Sequence, residues 1–180
     1  GLKVAAHAHG AEAIKNAVRA GVASIEHGTY LDDEGIRLMK EHGTFLSPTL
    51  DVHDCVSGNP QMPADFLAHN RGIAQTHYAG FRKAVQAGVK IAFSTDVPVC
   101  PYASAAKEFS YMVNYGMTPM QAIQAATMGG AELIGVADRV GSVRRGKLAD
   151  LIAVDGDPTA DVRTLEHVRF VMKEGQVYKS

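Results

Sequence analysis

The chain up to Asp96 repeats one pattern of apolar and polar positions. A short apolar run ends in polar residues, a stretch with the apolar spacing of an amphipathic helix follows, and a glycine precedes the next run. The apolar runs cover residues 4–7, 22–26, 44–46 and 89–93, with helices predicted at residues 11–20, 33–42 and 64–87. Strands alternating with helices at this spacing indicate an α/β fold with a parallel sheet and helical crossovers.

Residues that favour helix ends and loops set the boundaries of these elements. Asp32 is a suitable N-cap for the second helix, and Gly43 is expected to end it. Residues 55–63 contain Gly58, Asn59 and two prolines, which predicts a loop of functional length. Thr118 and Pro119 suit the N-cap and first turn of a later helix.

The C-terminal part of the chain has a different pattern. Short apolar runs at residues 151–154, 168–172 and 176–178 predict strands without long helices between them. Glu174 and Gly175 separate the last two runs, and this length and composition favour a tight hairpin. These strands are therefore expected to be antiparallel and to form a separate small β unit.

Composition and charge exclude several classes of protein. The 180 residues have a formal net charge of −1, with 46% hydrophobic and 21% charged residues, as in ordinary globular proteins. This balance argues against a nucleic-acid partner, and the chain has no apolar run of the length that a membrane helix needs. Two cysteines are too few for a disulfide framework, so separate thiols in a reducing cytoplasm are expected.

Three polar residues stand at the carboxyl ends of apolar runs. They are His7, His27 and Asp96. Because parallel strands end at one edge of a sheet, these side chains can converge there. Two imidazoles and a carboxylate suit zinc or a similar divalent metal, and a carboxylate beside the attacking water can accept its proton. The pattern predicts a metal site with Asp96 as general base.

The remaining histidines allow other interpretations. His9 shares a strand face with His7, and it could be a ligand's hydrogen-bond partner or part of a pocket wall. His53 lies just beyond the third run and is a candidate for substrate contact, whereas His42, His69, His77 and His167 are interpreted as structural. If all histidines were structural, the chain would be a non-catalytic β/α binding or scaffold domain.

Four sequence segments together resemble the metal-dependent amidohydrolase superfamily. They are VAAHAHG at residues 4–10, SIEHG at 24–28, FSTD at 93–96 and GKLADLIAVDGDP at 146–158. The similarity is greatest to its imidazolonepropionase-like and Xaa-Pro dipeptidase (prolidase)-like branch. It implies the second half of a (β/α)8 barrel, strands 5–8, in residues 1–138, and part of a small β-sandwich in residues 139–180.

The resemblance also implies the roles of individual residues. His7 and His27 would bind one or two divalent ions, most simply zinc, while Asp96 would bind metal and remove a proton from the attacking hydroxide. His9, Tyr30 and His53 would border the pocket for a small amide, such as a dipeptide or cyclic amide.

The family's first-strand His-x-His pair and fourth-strand Lys have no counterpart in this sequence. The resemblance therefore implies a C-terminal fragment of an amidohydrolase, with little activity in isolation. Such a fragment is expected to pair with its missing N-terminal half of the barrel, or with another copy as a homo-oligomer.

Overall fold

A computed structural model describes residues 2–58 and 61–180 of the chain, so Asn59 of the predicted loop lies outside the described residues. The strands are β1 (Ala5–Ala8), β2 (Ser24–His27), β3 (Phe45–Ser47), β4 (Leu151–Val154), β5 (Val168–Lys173) and β6 (Gln176–Lys179). The helices are α1 (Ala11–Arg19), α2 (Asp33–His42), α3 (Val52–Ser57), α4 (Ala64–Ala87), α5 (Lys107–Asn114), α6 (Pro119–Gln124) and α7 (Gly130–Ile134).

The N-terminal elements form a parallel sheet in the order β1-β2-β3, with helices connecting the strands. The fourth apolar run continues the sheet beside β3, although only an isolated parallel bridge joins Leu46 to Ile91. The Leu46 amide donates to the Lys90 carbonyl over 2.8 Å, and the Ala92 amide donates to the Leu46 carbonyl over 2.9 Å. The predicted α/β fold and parallel strand order are therefore present.

The first two helices form where apolar spacing and end signals agree. Ile14 and Val18 on α1 are fully buried, and α2 buries Met39 beside them in the same core. The Asp32 side chain accepts the Gly35 amide at 2.7 Å, which caps α2 as predicted. Gly43 ends α2 with a φ of 69°, a left-handed conformation that glycine adopts without steric cost.

The segment between α6 and α7 packs closely against the fourth apolar run. A π-helical segment, Ala125–Gly129, connects them, and the Phe93 amide donates to the Ala125 carbonyl over 3.2 Å. A Cβ atom at Gly129 would lie only 2.6 Å from the Ile91 carbonyl oxygen. This contact requires glycine and brings the segment leading to Asp96 close to the helices.

The C-terminal strands form a second sheet, antiparallel and in the order β4-β5-β6. Glu174 and Gly175 have positive φ values of 50° and 81°, the conformation of a two-residue type I′ hairpin turn. The predicted hairpin is present. Within the described residues, no helix combines the length and apolar character needed to cross a bilayer.

Two sequence-based expectations were wrong. The predicted loop at residues 55–63 overlaps α3, a helix of six residues that begins at Val52. Cys55 and Cys100 form a disulfide across a sequence separation of 45 residues, although separate thiols were expected. The sheet brings the segments that follow β3 and the fourth apolar run together, and the spacing of two cysteines gives no sign of this.

Candidate active site

Three histidines converge at the carboxyl edge of the parallel sheet. His7 lies on β1, His9 directly follows it, and His27 ends β2 beside Ala8. The ring centroids are 4.6 Å apart for His7–His9 and for His7–His27, and 4.8 Å apart for His9–His27. One nitrogen from each ring lies within 4.8 Å of the other two. This histidine trio is therefore close enough to bind one metal ion.

Two buried threonines fix the orientation of two of these rings. The Nδ1 atom of His27 lies 2.7 Å from the Thr49 hydroxyl, and the Nδ1 atom of His9 lies 2.7 Å from the Thr29 hydroxyl. Each hydrogen bond leaves the ring's Nε2 atom available to a ligand, in the way that partners of metal-binding histidines usually do. Both threonines lie two residues beyond a strand end, and no local pattern in the sequence indicates their contacts.

The surroundings favour neutral imidazoles at His9 and His27. Burial lowers the pKa of His27, and the neighbouring His9 and His7 rings lower it further. Burial also lowers the pKa of His9, followed by the effects of His7 and His53. The Asp96 carboxylate opposes both shifts in part. Neutral imidazole is the form that binds metal.

Asp96 lies outside the histidine trio but has a related backbone conformation. Its side chain is exposed, and its φ is 52°. His27 and Thr49 also have positive φ values, 70° and 54°, and all three residues lie at or just beyond the carboxyl ends of apolar runs. Non-glycine residues in this conformation are strained, and such strain is concentrated at functional sites.

The two other predicted contact residues differ in accessibility. Tyr30 is 43% exposed, and its amide donates to the His9 carbonyl over 2.9 Å. His53 is 7% exposed and lies in the first turn of α3, not in a loop. Its two ring nitrogens lie 3.0 Å from Asn70 Oδ1 and 3.0 Å from His77 Nδ1, so neither is open to a substrate in this arrangement.

His77, interpreted from sequence as structural, is directly connected to the trio. It is almost fully buried on α4, and its Nε2 atom lies 2.8 Å from the His27 carbonyl oxygen. Burial lowers the pKa of His77 to about 3, so the ring is neutral at physiological pH. Its separation of 50 residues from His27 explains why no local pattern indicated the contact.

A pair of buried carboxyl groups lies beyond β3. The Glu108 side chain accepts the Leu50 amide at 2.9 Å and the Asp51 amide at 2.8 Å. Burial raises the pKa of Asp51 to about 6 and raises that of Glu108 well above its usual value. With both groups ionised, the Asp51 oxygens have no donor among the described residues. A proton on one of the two carboxyl groups would provide a donor.

Comparisons with known proteins agree with the resemblance inferred from sequence. The Amidohydrolase family model matches residues 1–178. Ochratoxinase from Aspergillus niger is 34% identical over 98% of this chain and 38% of its own length. Imidazolonepropionase from Fusobacterium nucleatum is 27% identical over 82% of this chain and 32% of its own length.

Solved structures extend this agreement to the fold. A Xaa-Pro dipeptidase crystallised with methionine in its active site is 45% identical, with a TM-score of 0.92 over 99% of this chain and 45% of that chain. The α/β fold thus matches the C-terminal part of amidohydrolase structures, and the chain spans less than half the length of these relatives. The chain belongs to the amidohydrolase family.

Proposed function

We propose that this chain provides part of the active site of a metal-dependent hydrolase that cleaves an amide C–N bond. The observation that carries the proposal is the convergence of three imidazoles from two neighbouring strand ends. Residues 1–138 would form strands 5–8 of a (β/α)8 barrel, and residues 139–180 would contribute to a small β-sandwich. The remaining ligands would come from an N-terminal half of the barrel, which the relatives' greater length supports.

The donor set suits a divalent metal, of which zinc is the simplest choice. His7, His27 and Asp96 are the proposed ligands, and His9 offers a further nitrogen beside them. A bound zinc ion would lower the pKa of water to about 7 and polarise a carbonyl group. The hydrogen bonds from Thr29 and Thr49 would hold His9 and His27 with Nε2 toward the ion.

The protein's own groups would move the proton and bind the substrate. Asp96 is exposed at the same edge as the histidines, so its carboxylate can accept a proton from attacking water and return it to the leaving nitrogen. Tyr30 can reach a substrate through its exposed ring. The Xaa-Pro dipeptidase and prolidase among the related structures support a small amide such as a dipeptide as the substrate class.

The test uses the complete natural polypeptide that contains this chain. Zinc content and hydrolysis of a dipeptide library are measured for the wild type, for His27→Ala and for His42→Ala, whose histidine is exposed at the end of α2. We expect chelator-sensitive hydrolysis that His27→Ala reduces at least about a hundredfold, with loss of zinc, while His42→Ala retains both. Metal-independent hydrolysis, or no bound metal and an unaltered His27→Ala protein, would reject the proposal.

A further inference from the structure

A chain of buried side chains connects α3 and α4 to the backbone of His27. A hydrogen bond joins Asn70 to His53, a second joins His53 to His77, and a third joins His77 to the His27 carbonyl oxygen. We propose that this chain, here called the histidine relay, is a positioning device that holds His27 in its left-handed conformation and so fixes the ring for metal binding. The inference rests on the proposed function, because it assigns His27 as a ligand.

The backbone of His27 requires such support. Its φ of 70° is strained for a residue with a Cβ atom, and strain of this kind persists only where surrounding contacts enforce it. The following residue, Gly28, is also left-handed, and its amide donates to the Ala8 carbonyl over 3.1 Å. His77 holds the carbonyl oxygen between these two residues, at the point where the strained segment turns.

The hydrogen bonds of the histidine relay have a defined direction. Asn70 donates from Nδ2 to the His53 carbonyl and to the Ser57 hydroxyl, both at 2.9 Å, which leaves its Oδ1 atom to accept from His53 Nδ1. At the other end, the His27 carbonyl can only accept, so His77 must donate from Nε2. The other His77 nitrogen, Nδ1, lies 3.0 Å from His53 Nε2, and this contact completes the relay.

This assignment gives His53 a role different from direct substrate contact. Both of its ring nitrogens lie within hydrogen-bonding distance of relay partners, and the ring is shielded from solvent, so neither nitrogen is available to a substrate. Burial lowers the pKa of His9, and the nearby His7 and His53 rings lower it further. His53 and Asn70 act on the trio through His77, which makes all three positioning residues.

The experiment compares two substitutions of His77 in the complete polypeptide. His77→Leu removes both hydrogen bonds, whereas His77→Gln keeps a terminal amide that can donate to the His27 carbonyl in place of Nε2. His69→Leu is the matched control, because His69 is an exposed position on the same helix. The zinc dissociation constant is measured by chelator competition, and hydrogen exchange of the Gly28 amide is measured in the metal-free protein.

We expect His77→Leu to weaken zinc binding about 10–100-fold, the usual effect of losing a partner of a metal ligand. It should also accelerate Gly28 exchange at least about tenfold. His77→Gln should stay within about threefold of the wild type in both measurements, and His69→Leu should be unchanged. If His77→Leu does not fold, His53→Leu is measured in its place. The His53→Leu variant leaves His77 Nδ1 without its hydrogen-bond partner, His53 Nε2.

The outcomes separate this inference from the proposed function. If neither His77→Leu nor His53→Leu changes the rate of Gly28 exchange or the zinc dissociation constant by more than twofold, the positioning role is rejected. This holds even when the wild type binds zinc. If His77→Gln is as impaired as His77→Leu, the hydrogen bond to the His27 carbonyl is not the cause, and the inference is also rejected. If the wild type binds no zinc but Gly28 exchange responds as expected, the support of the His27 backbone stands and the proposed function fails.

Discussion

The buried carboxyl pair of Asp51 and Glu108 should make the folded protein less stable as the pH rises. The substitution Asp51→Asn tests this dependence. Asp51→Asn keeps the shape of the side chain and removes one of the two ionisable groups. The new amide can also donate permanently to the Glu108 carboxylate, which the wild type achieves only by holding a proton. We therefore expect this variant to be more stable than the wild type at alkaline pH.

The magnitude follows from the raised pKa of Asp51. Its pKa is about 6 in the folded protein against an ordinary value of 3.8, so folding favours the protonated form. The contribution of this protonation to the free energy of unfolding is fully present below pH 4 and is lost as the pH rises through 6. At 1.36 kcal/mol per pKa unit, the upper limit is about 3 kcal/mol. Because Glu108 shares the proton, we expect Asp51→Asn to gain about 1–2 kcal/mol at pH 8 and close to zero at pH 4.

Urea unfolding at pH 4, 6 and 8 tests this reasoning on the complete polypeptide. Asp138→Asn, at an exposed aspartate, is the control and should stay within about 0.5 kcal/mol of the wild type at each pH. The free-energy difference between Asp51→Asn and the wild type should increase with pH. A difference that is constant across the three pH values, or a loss of stability at pH 8, would refute a shared proton in the carboxyl pair.

Three further substitutions test the proposed role of Asp96, the packing at Gly129 and the disulfide. Asp96→Asn should lower kcat about 100- to 10,000-fold in a dipeptide hydrolysis assay, because it removes the proposed proton acceptor; unchanged kcat would reject that role. Gly129→Ala should lower the melting temperature by several degrees, because its Cβ atom would lie 2.6 Å from the Ile91 carbonyl oxygen; an unchanged melting temperature would contradict this packing. Replacing Cys55 and Cys100 by serine should cost about 2–4 kcal/mol in urea unfolding, and a reductant should destabilise the wild type but not the double variant.

Local signals in the sequence were sufficient for most elements of the fold. Asp32 caps α2, and Thr118 forms a capping box with Gln121 at the start of α6, because side chains satisfy the free amides of a helix within a few residues. The long helix α4 occupies residues 64–87, as its apolar spacing predicted. The fourth apolar run was less regular, since its contact with β3 is limited to one bridge.

Contacts between distant segments could not be predicted in the same way. The alternation of β1 placed His7 and His9 on one face, but only the register of β2 brings His27 beside both rings. His53 and His77 lie 24 residues apart on two helices whose packing no periodicity describes. Such contacts depend on how whole elements pack, so the sequence indicated the sheet edge where the histidines converge but not the residues that support them.

The left-handed backbone at Asp96 has a consequence for protein engineering. Glycine adopts a φ of 52° without the cost that a Cβ atom imposes, and the exposed Asp96 side chain contributes little packing that would be lost. A library randomised at this position and selected for heat resistance alone should therefore enrich glycine, whereas selection for hydrolysis should retain aspartate. If Asp96 has the proposed catalytic role, selection for thermostability and selection for hydrolysis favour different residues at this position, and a screen must impose both.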